Sequence, residues 1–199
     1  VLSMFSVVRG YNIFIIVLAQ YLAAIFIFAP EKSLRETLLN PDLFLIVLAT
    51  TCVIAAGYII NNFYDVKKDV INKPIKTKID SIVSQKVKLK SYFVLNFIGV
   101  LFGLLVSWRA AVFFSVYIFL IWLYSHKLKK YPLTRLISAS VLALWPFFAI
   151  FVYFKNFSTI IFTHALFLFL VLMIKELVKD LENMKGDLAQ NYITIPIKY

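Results

Sequence analysis

The chain has 199 residues, of which 62% are hydrophobic, and a mean hydropathy of +0.86; a soluble globular domain carries roughly 45–50% apolar residues, so composition excludes that class and points to a membrane protein. A net charge of +11 would suggest nucleic acid in a soluble chain, but here the excess lies in alternate loops between apolar runs, which excludes that partner and leaves anionic lipid headgroups. Cys52 is the only cysteine, which excludes an intrachain disulfide and a thiolate metal site.

Six apolar runs follow one another, at residues 12–29, 43–60, 91–108, 110–123, 136–154 and 159–174. Most approach the ~20 residues that cross a bilayer, and the shorter ones can extend into their flanks. The predicted fold is all-α, a polytopic membrane bundle with six spanning helices. The first run is too long for a secretory signal and lacks its small-residue cleavage site, so it counts as a helix. Pro30 and Pro41 bracket a short connection over residues 31–42 as helix breakers.

The second run leads directly into Asn61, Asp65 and Asp69, spaced i, i+4 and i+8. If the helix continues through them, their oxygens stand on one face, where they can converge on a hard cation such as Mg2+. Residues 66–90 form the longest predicted loop, rich in lysine, with Lys73 and Lys76 the first lysines to follow Asp69. Pro146 is expected to kink the fifth span. His126 and His164 lie far apart without metal-like spacing. After the sixth run, Asp180, Asn183 and Asp187 at i, i+3 and i+7 form a second acidic stripe. Acidic residues at the ends of apolar helices are often solvated flanks. Two such stripes facing one cleft, however, would hold a diphosphate through bridging Mg2+.

Seventeen of the 21 basic residues fall in the N-terminal segment, residues 66–90, residues 127–135 and the C-terminal segment, and four (Lys32, Arg35, Arg109 and Lys155) on the other side. Lys and Arg are retained in cytoplasmic loops, so both stripes are expected to face the cytoplasm.

Asn61-x3-Asp65-x3-Asp69, continuing into Val70-Ile71-Asn72-Lys73-Pro74, resembles the first signature of the UbiA family of intramembrane prenyltransferases. Lys179-Asp180-Leu181-Glu182-Asn183-Met184-Lys185-Gly186-Asp187, followed by Thr194-Ile195-Pro196, is similar to the second. Tyr124-Ser125-His126-Lys127-Leu128-Lys129 is similar to the short loop between them, and Arg9 with Asn12 to the Arg-x-x-Asn that opens the first helix. The resemblance implies a Mg2+-dependent prenyltransferase in a bacterial or archaeal cell membrane. Its donor would be a polyprenyl diphosphate and its acceptor lipid-type or aromatic. Asp65, Asp69, Asp180 and Asp187 would be catalytic carboxylates, joined by Asn61 and Asn183 around the metal. Arg9, Asn12, Lys73, Lys76, Tyr124, Lys129 and Lys179 would contact the diphosphate. Ile71-Asn72-Lys73-Pro74 and Lys179-Asp180-Leu181-Glu182 look closest to the geranylgeranylglycerol-phosphate geranylgeranyltransferase branch.

The chain departs from the family pattern at Asn62 and Asn183, each standing where Asp is usual, and at Thr134-Arg135, where the pattern has Gly-Asn. A catalytically weakened paralogue, a non-catalytic scaffold with the same fold and a transporter-like bundle are the alternative readings. Transporters tend to show repeats and helices broken at the midplane, and neither stands out here. Residues 1–199 read as a single domain. The family normally has about nine helices, so the natural protein is expected to extend past Tyr199.

Overall fold

The computed structural model describes residues 2–198, which contain helices and no strand. In chain order these are α1 (Leu2–Val7), α2 (Gly10–Ala23) closed by a π turn at Ala24–Phe28, α3 (Leu34–Leu38), α4 (Pro41–Asn72), α5 (Pro74–Asp80), α6 (Gln85–Val106), α7 (Trp108–His126), a 3-10 turn at Leu128–Lys130, α8 (Pro132–Phe154), α9 (Thr159–Glu182), α10 (Met184–Ala189) and α11 (Ile195–Lys198). Six helical stretches are long and apolar enough to cross a membrane: Gly10–Phe28, Pro41–Asn72, Gln85–Val106, Trp108–Lys130, Pro132–Phe154 and Thr159–Glu182. They correspond one to one with the six apolar runs.

Helix starts follow local chemistry. Asn40 accepts from the Leu43 amide, Ser84 from that of Val87 and Ser107 from that of Ala110, each satisfying an N–H that the first turn leaves unpaired. Pro41, Pro74 and Pro132 occupy first-turn positions, where a missing N–H costs nothing. Pro41 therefore opens a helix as well as ending a loop. The long loop expected over residues 66–90 is mostly helical. α4 runs on to Asn72, and α5 and the first turn of α6 take up much of the remainder.

α4 is the central helix, with 67% of its apolar window buried against 17% for α6 and for α9. Lipid tails are as apolar as Leu, so close packing rather than hydrophobic transfer must hold such helices together. Small residues provide it. A Cβ at Gly99 of α6 would stand 2.8 Å from Val53 of α4, and one at Gly103 would stand 2.9 Å from Phe114 of α7. The outer faces carry Phe14, Phe26, Phe97, Leu105 and Phe167, all exposed, as lipid contact requires.

Polar crosslinks pin the apolar centre. Buried Gln20 of α2 donates to Thr50 Oγ1 of α4 at 3.2 Å and to the Pro146 carbonyl of α8 at 3.0 Å. α8 passes through Pro146 as one helix. A proline at 146 cannot donate to the Leu142 carbonyl, and the Tyr117 hydroxyl of α7 donates to it instead, at 3.0 Å. Tyr117→Phe should therefore lower stability by about 0.5–1 kcal/mol, measured as the unfolding midpoint of detergent-solubilised protein; an unchanged midpoint would show that Leu142 finds another donor.

Candidate functional site

The functional end of the bundle is built where α4 outlasts its apolar stretch. Its last turns carry Asn61, Asp65, Lys68 and Asp69, and the end of α7 with the 3-10 turn brings Ser125 and Lys129 against them. The start of α8 supplies Arg135, and the end of α9 with α10 supplies Asp180 and Asp187. Ser125 Oγ donates to Asn61 Oδ1 at 3.1 Å, and Lys129 Nζ donates to Asp65 Oδ1 at 2.7 Å.

Lys68 joins the two stripes, with its Nζ 3.8 Å from Asp65 Oδ1 and 3.2 Å from Asp187 Oδ1. Arg135 holds the second stripe. Its Nη2 lies 2.6 Å from Asp180 Oδ1 and 3.4 Å from Asp187 Oδ2, and its Nη1 lies 3.4 Å from Asp187 Oδ1. Asp187 is 0% and Arg135 3% exposed. Two carboxylates this deeply desolvated need a counter-charge close by, and the Arg135 guanidinium supplies it.

The second stripe is not one continuous helical face. α9 stops at Glu182 and the chain turns at Asn183 before α10, so Asp180 and Asp187 meet through a turn. Asn72 sets that turn: its Nδ2 donates to the Asn183 carbonyl at 3.0 Å and its Oδ1 accepts from the Gly186 amide at 2.9 Å. A Cβ at Gly186 would come within 2.4 Å of Asn72 Nδ2, so this close approach needs glycine. The Asn183 side chain is turned to the Lys179 carbonyl, capping α9.

The remaining candidates surround this core. Asp69 is half-buried and makes no ion pair among the described residues, with Lys73 and Arg9 as its nearest cationic influences besides Lys68. Burial pushes the Lys73 ammonium below its ordinary value, with Arg9 adding to the effect and Asp69 opposing it. Arg9 has its guanidinium 5.1 Å from the Tyr58 ring centroid and a left-handed backbone at φ 52°, a strained conformation for a residue with a side chain. Asn12 is half-buried one turn further along α2. Tyr124 is buried among Arg135, Glu176, Asp65 and Asp180. Lys179 pairs with Glu176 at 2.6 Å. Lys68 lies over the Tyr192 ring, and burial together with Asp65 and Asp187 pushes that phenol above its ordinary value, keeping its proton.

Lys76 belongs to a neighbouring cluster. Buried Asp80 accepts from Lys76 Nζ, from Ser6 Oγ at 2.7 Å and from Asn62 Nδ2 at 2.9 Å, while Lys88 Nζ donates to Asn62 Oδ1 at 2.8 Å. Asn62 therefore turns away from the acidic stripe and ties α4 to α5 and α6, while Asp80 reaches α1 through Ser6.

Does this donor set fit a divalent cation? Among the described residues no group of three or more His, Cys, Asp and Glu is arranged to hold one. The second stripe does not fit, because Arg135 occupies the space between its carboxylates. The first stripe fits better: Asp69 has no ion-pair partner among the described residues, and Asp65 engages its cations through Oδ1.

A helical bundle whose paired carboxylates and surrounding cations gather at one end of its apolar spans defines a polytopic membrane protein with a buried, charged site at that end. Residues 13–199 match the UbiA prenyltransferase family, and the chain belongs to it. It is 30% identical over 207 residues to the digeranylgeranylglyceryl phosphate synthase of Methanobrevibacter smithii, covering 98% of this chain and 68% of that protein. It is 32% identical over 143 residues to the enzyme of that name from Thermococcus sibiricus, covering 71% of this chain and 50% of that one. The chain thus spans between half and about two thirds of these relatives. A solved structure from work on digeranylgeranylglyceryl phosphate synthase in membranes superposes with a TM-score of 0.73 over 99% of this chain and 68% of its own, at 24% identity, and shares the fold.

Proposed function

We propose that this chain transfers a prenyl group from a polyprenyl diphosphate to a lipid-type acceptor in the membrane. The names of its relatives suggest geranylgeranyl diphosphate as donor and geranylgeranylglyceryl phosphate as acceptor. The observation that carries this reading is the convergence of Asp65, Lys68, Lys129, Arg135, Asp180 and Asp187 at one end of an otherwise apolar bundle. Such an end can grip a diphosphate while the polyprenyl tail stays among the spans.

In this mechanism the cations Lys73, Lys129, Lys179 and Arg9 face the diphosphate, with Tyr124 and Asn12 lining its approach. They stabilise the charge that develops on the leaving oxygen as the allylic C–O bond ionises. The apolar walls keep water from the allylic cation until an acceptor hydroxyl forms the new C–O bond, its proton passing to the departing diphosphate. Asn61, Asp65 and Asp69 would hold Mg2+, which when bound supplies further neutralisation of the diphosphate. Lys68 and Lys129 fix Asp65, and Arg135 fixes Asp180 and Asp187. The test is incubation of the full natural chain in membranes with geranylgeranyl diphosphate and either geranylgeranylglyceryl phosphate or an aromatic acceptor. Diphosphate release with the lipid supports the proposal, release with the aromatic alone redirects it to quinone-type substrates, and release with neither leaves the scaffold reading.

The site is proposed to face the cytoplasm, on the strength of the basic-residue split. Single cysteines at exposed Lys78 and Lys130, in a chain lacking Cys52, should resist a membrane-impermeant thiol reagent added to intact cells, and one at exposed Glu36 should react. Labelling at position 78 from outside would overturn both the topology and the location of the site.

A further inference from the structure

The second acidic stripe poses a charge problem that the chain has solved internally. Asp180 and Asp187 both accept from the Arg135 guanidinium, and Lys68 adds a second cation to Asp187. Mg2+ demands near-octahedral oxygen coordination and keeps several of its waters, whereas a guanidinium is planar, permanently charged and matched to carboxylates through forked N–H groups. The two cannot share these carboxylates, and Arg135 is almost wholly buried there. Its Nε–H is also buried without an acceptor among the described residues.

Resting on the prenyl-transfer reading, we infer that Arg135 takes the place of a second divalent cation: it is a resident counter-charge for Asp180 and Asp187, and the chain works with one metal ion, held on the first stripe. Metal dependence then resides in Asn61, Asp65 and Asp69. Asp180 and Asp187 position the arginine.

The experiment counts Mn2+ by electron paramagnetic resonance on the full natural chain in detergent, with Mn2+ alone and with inorganic diphosphate added. The native protein should bind one Mn2+ per chain. Arg135→Asn should bind two, and Asp180→Asn in the Arg135→Asn background should return the count to one. Arg135→Lys keeps a cation at the position and should stay at one. Mn2+ should raise the unfolding temperature of Arg135→Asn more than that of Arg135→Lys. A native count of two, or a native count that falls on Asp180→Asn, overturns the inference even if Arg135→Asn fails to fold. A native count of one without prenyl transfer overturns the functional reading instead and leaves the role of Arg135 standing.

Discussion

Asp65→Asn should lower Mg2+-dependent release of diphosphate by on the order of 10²–10³-fold, comparable to losing one preorganised charge-stabilising group, while the protein stays inserted and folded. Asp65 is the carboxylate through which Lys68 and Lys129 are both held, and it sits at the end of the apolar stretch of α4. Losing its charge releases Lys129, leaves Lys68 with Asp187 alone and removes a proposed metal ligand. Asp187→Asn should produce a loss of similar size for a different reason: Arg135 and Lys68 lose a shared anion. Groups acting as a unit are far from additive, and Lys68 couples these two carboxylates. The double variant should be scarcely worse than either single. Losses that multiply would mean two independent sites, and normal turnover by both single variants would sink the mechanism.

The largest effect on stability should come from Asp80→Ala, at about 3–5 kcal/mol, the range for removing one partner of a buried ion pair. Asp80 is 2% exposed and accepts from Ser6, Asn62 and Lys76. Without it Lys76 loses its ion pair, and Lys88 is left beside an Asn62 that has lost its acceptor. Thermal unfolding in detergent should register the loss, whereas the number of Mn2+ ions bound by the fraction that folds should not change. A loss below about 1 kcal/mol would place this cluster among solvent-screened pairs.

Much of the fold was legible because a bilayer allows few solutions: each apolar run of adequate length became a spanning helix. The first stripe was legible for a similar reason. α4 is uninterrupted from Pro41 to Asn72, so helical periodicity held through Asn61, Asp65 and Asp69. The second stripe was found by that arithmetic although its geometry differs, since a turn at Asn183 brings Asp180 and Asp187 to one guanidinium. Arg135 and Lys68 were counted only as charges in basic segments. Their roles depend on contacts across 52 and 119 positions of sequence respectively, which no local pattern encodes. Two signals were available: Lys68 stands three residues after Asp65, and Arg135 falls where the family pattern has Asn. Asn62 looked like a lost metal ligand, but the helix turns it toward Asp80 and Lys88, and only the packed structure reveals that.

The partners of Arg135 also impose an order on biosynthesis. The guanidinium enters the bilayer boundary at the start of α8, but Asp180 and Asp187 are not synthesised until α9 and α10 emerge. During that interval the guanidinium lacks both of the carboxylates that hold it in the folded chain. Lys129 has no such wait, because Asp65 precedes it. The Lys129–Asp65 pair can therefore form before the second stripe exists, and Arg135 gains its anions only once α9 and α10 follow.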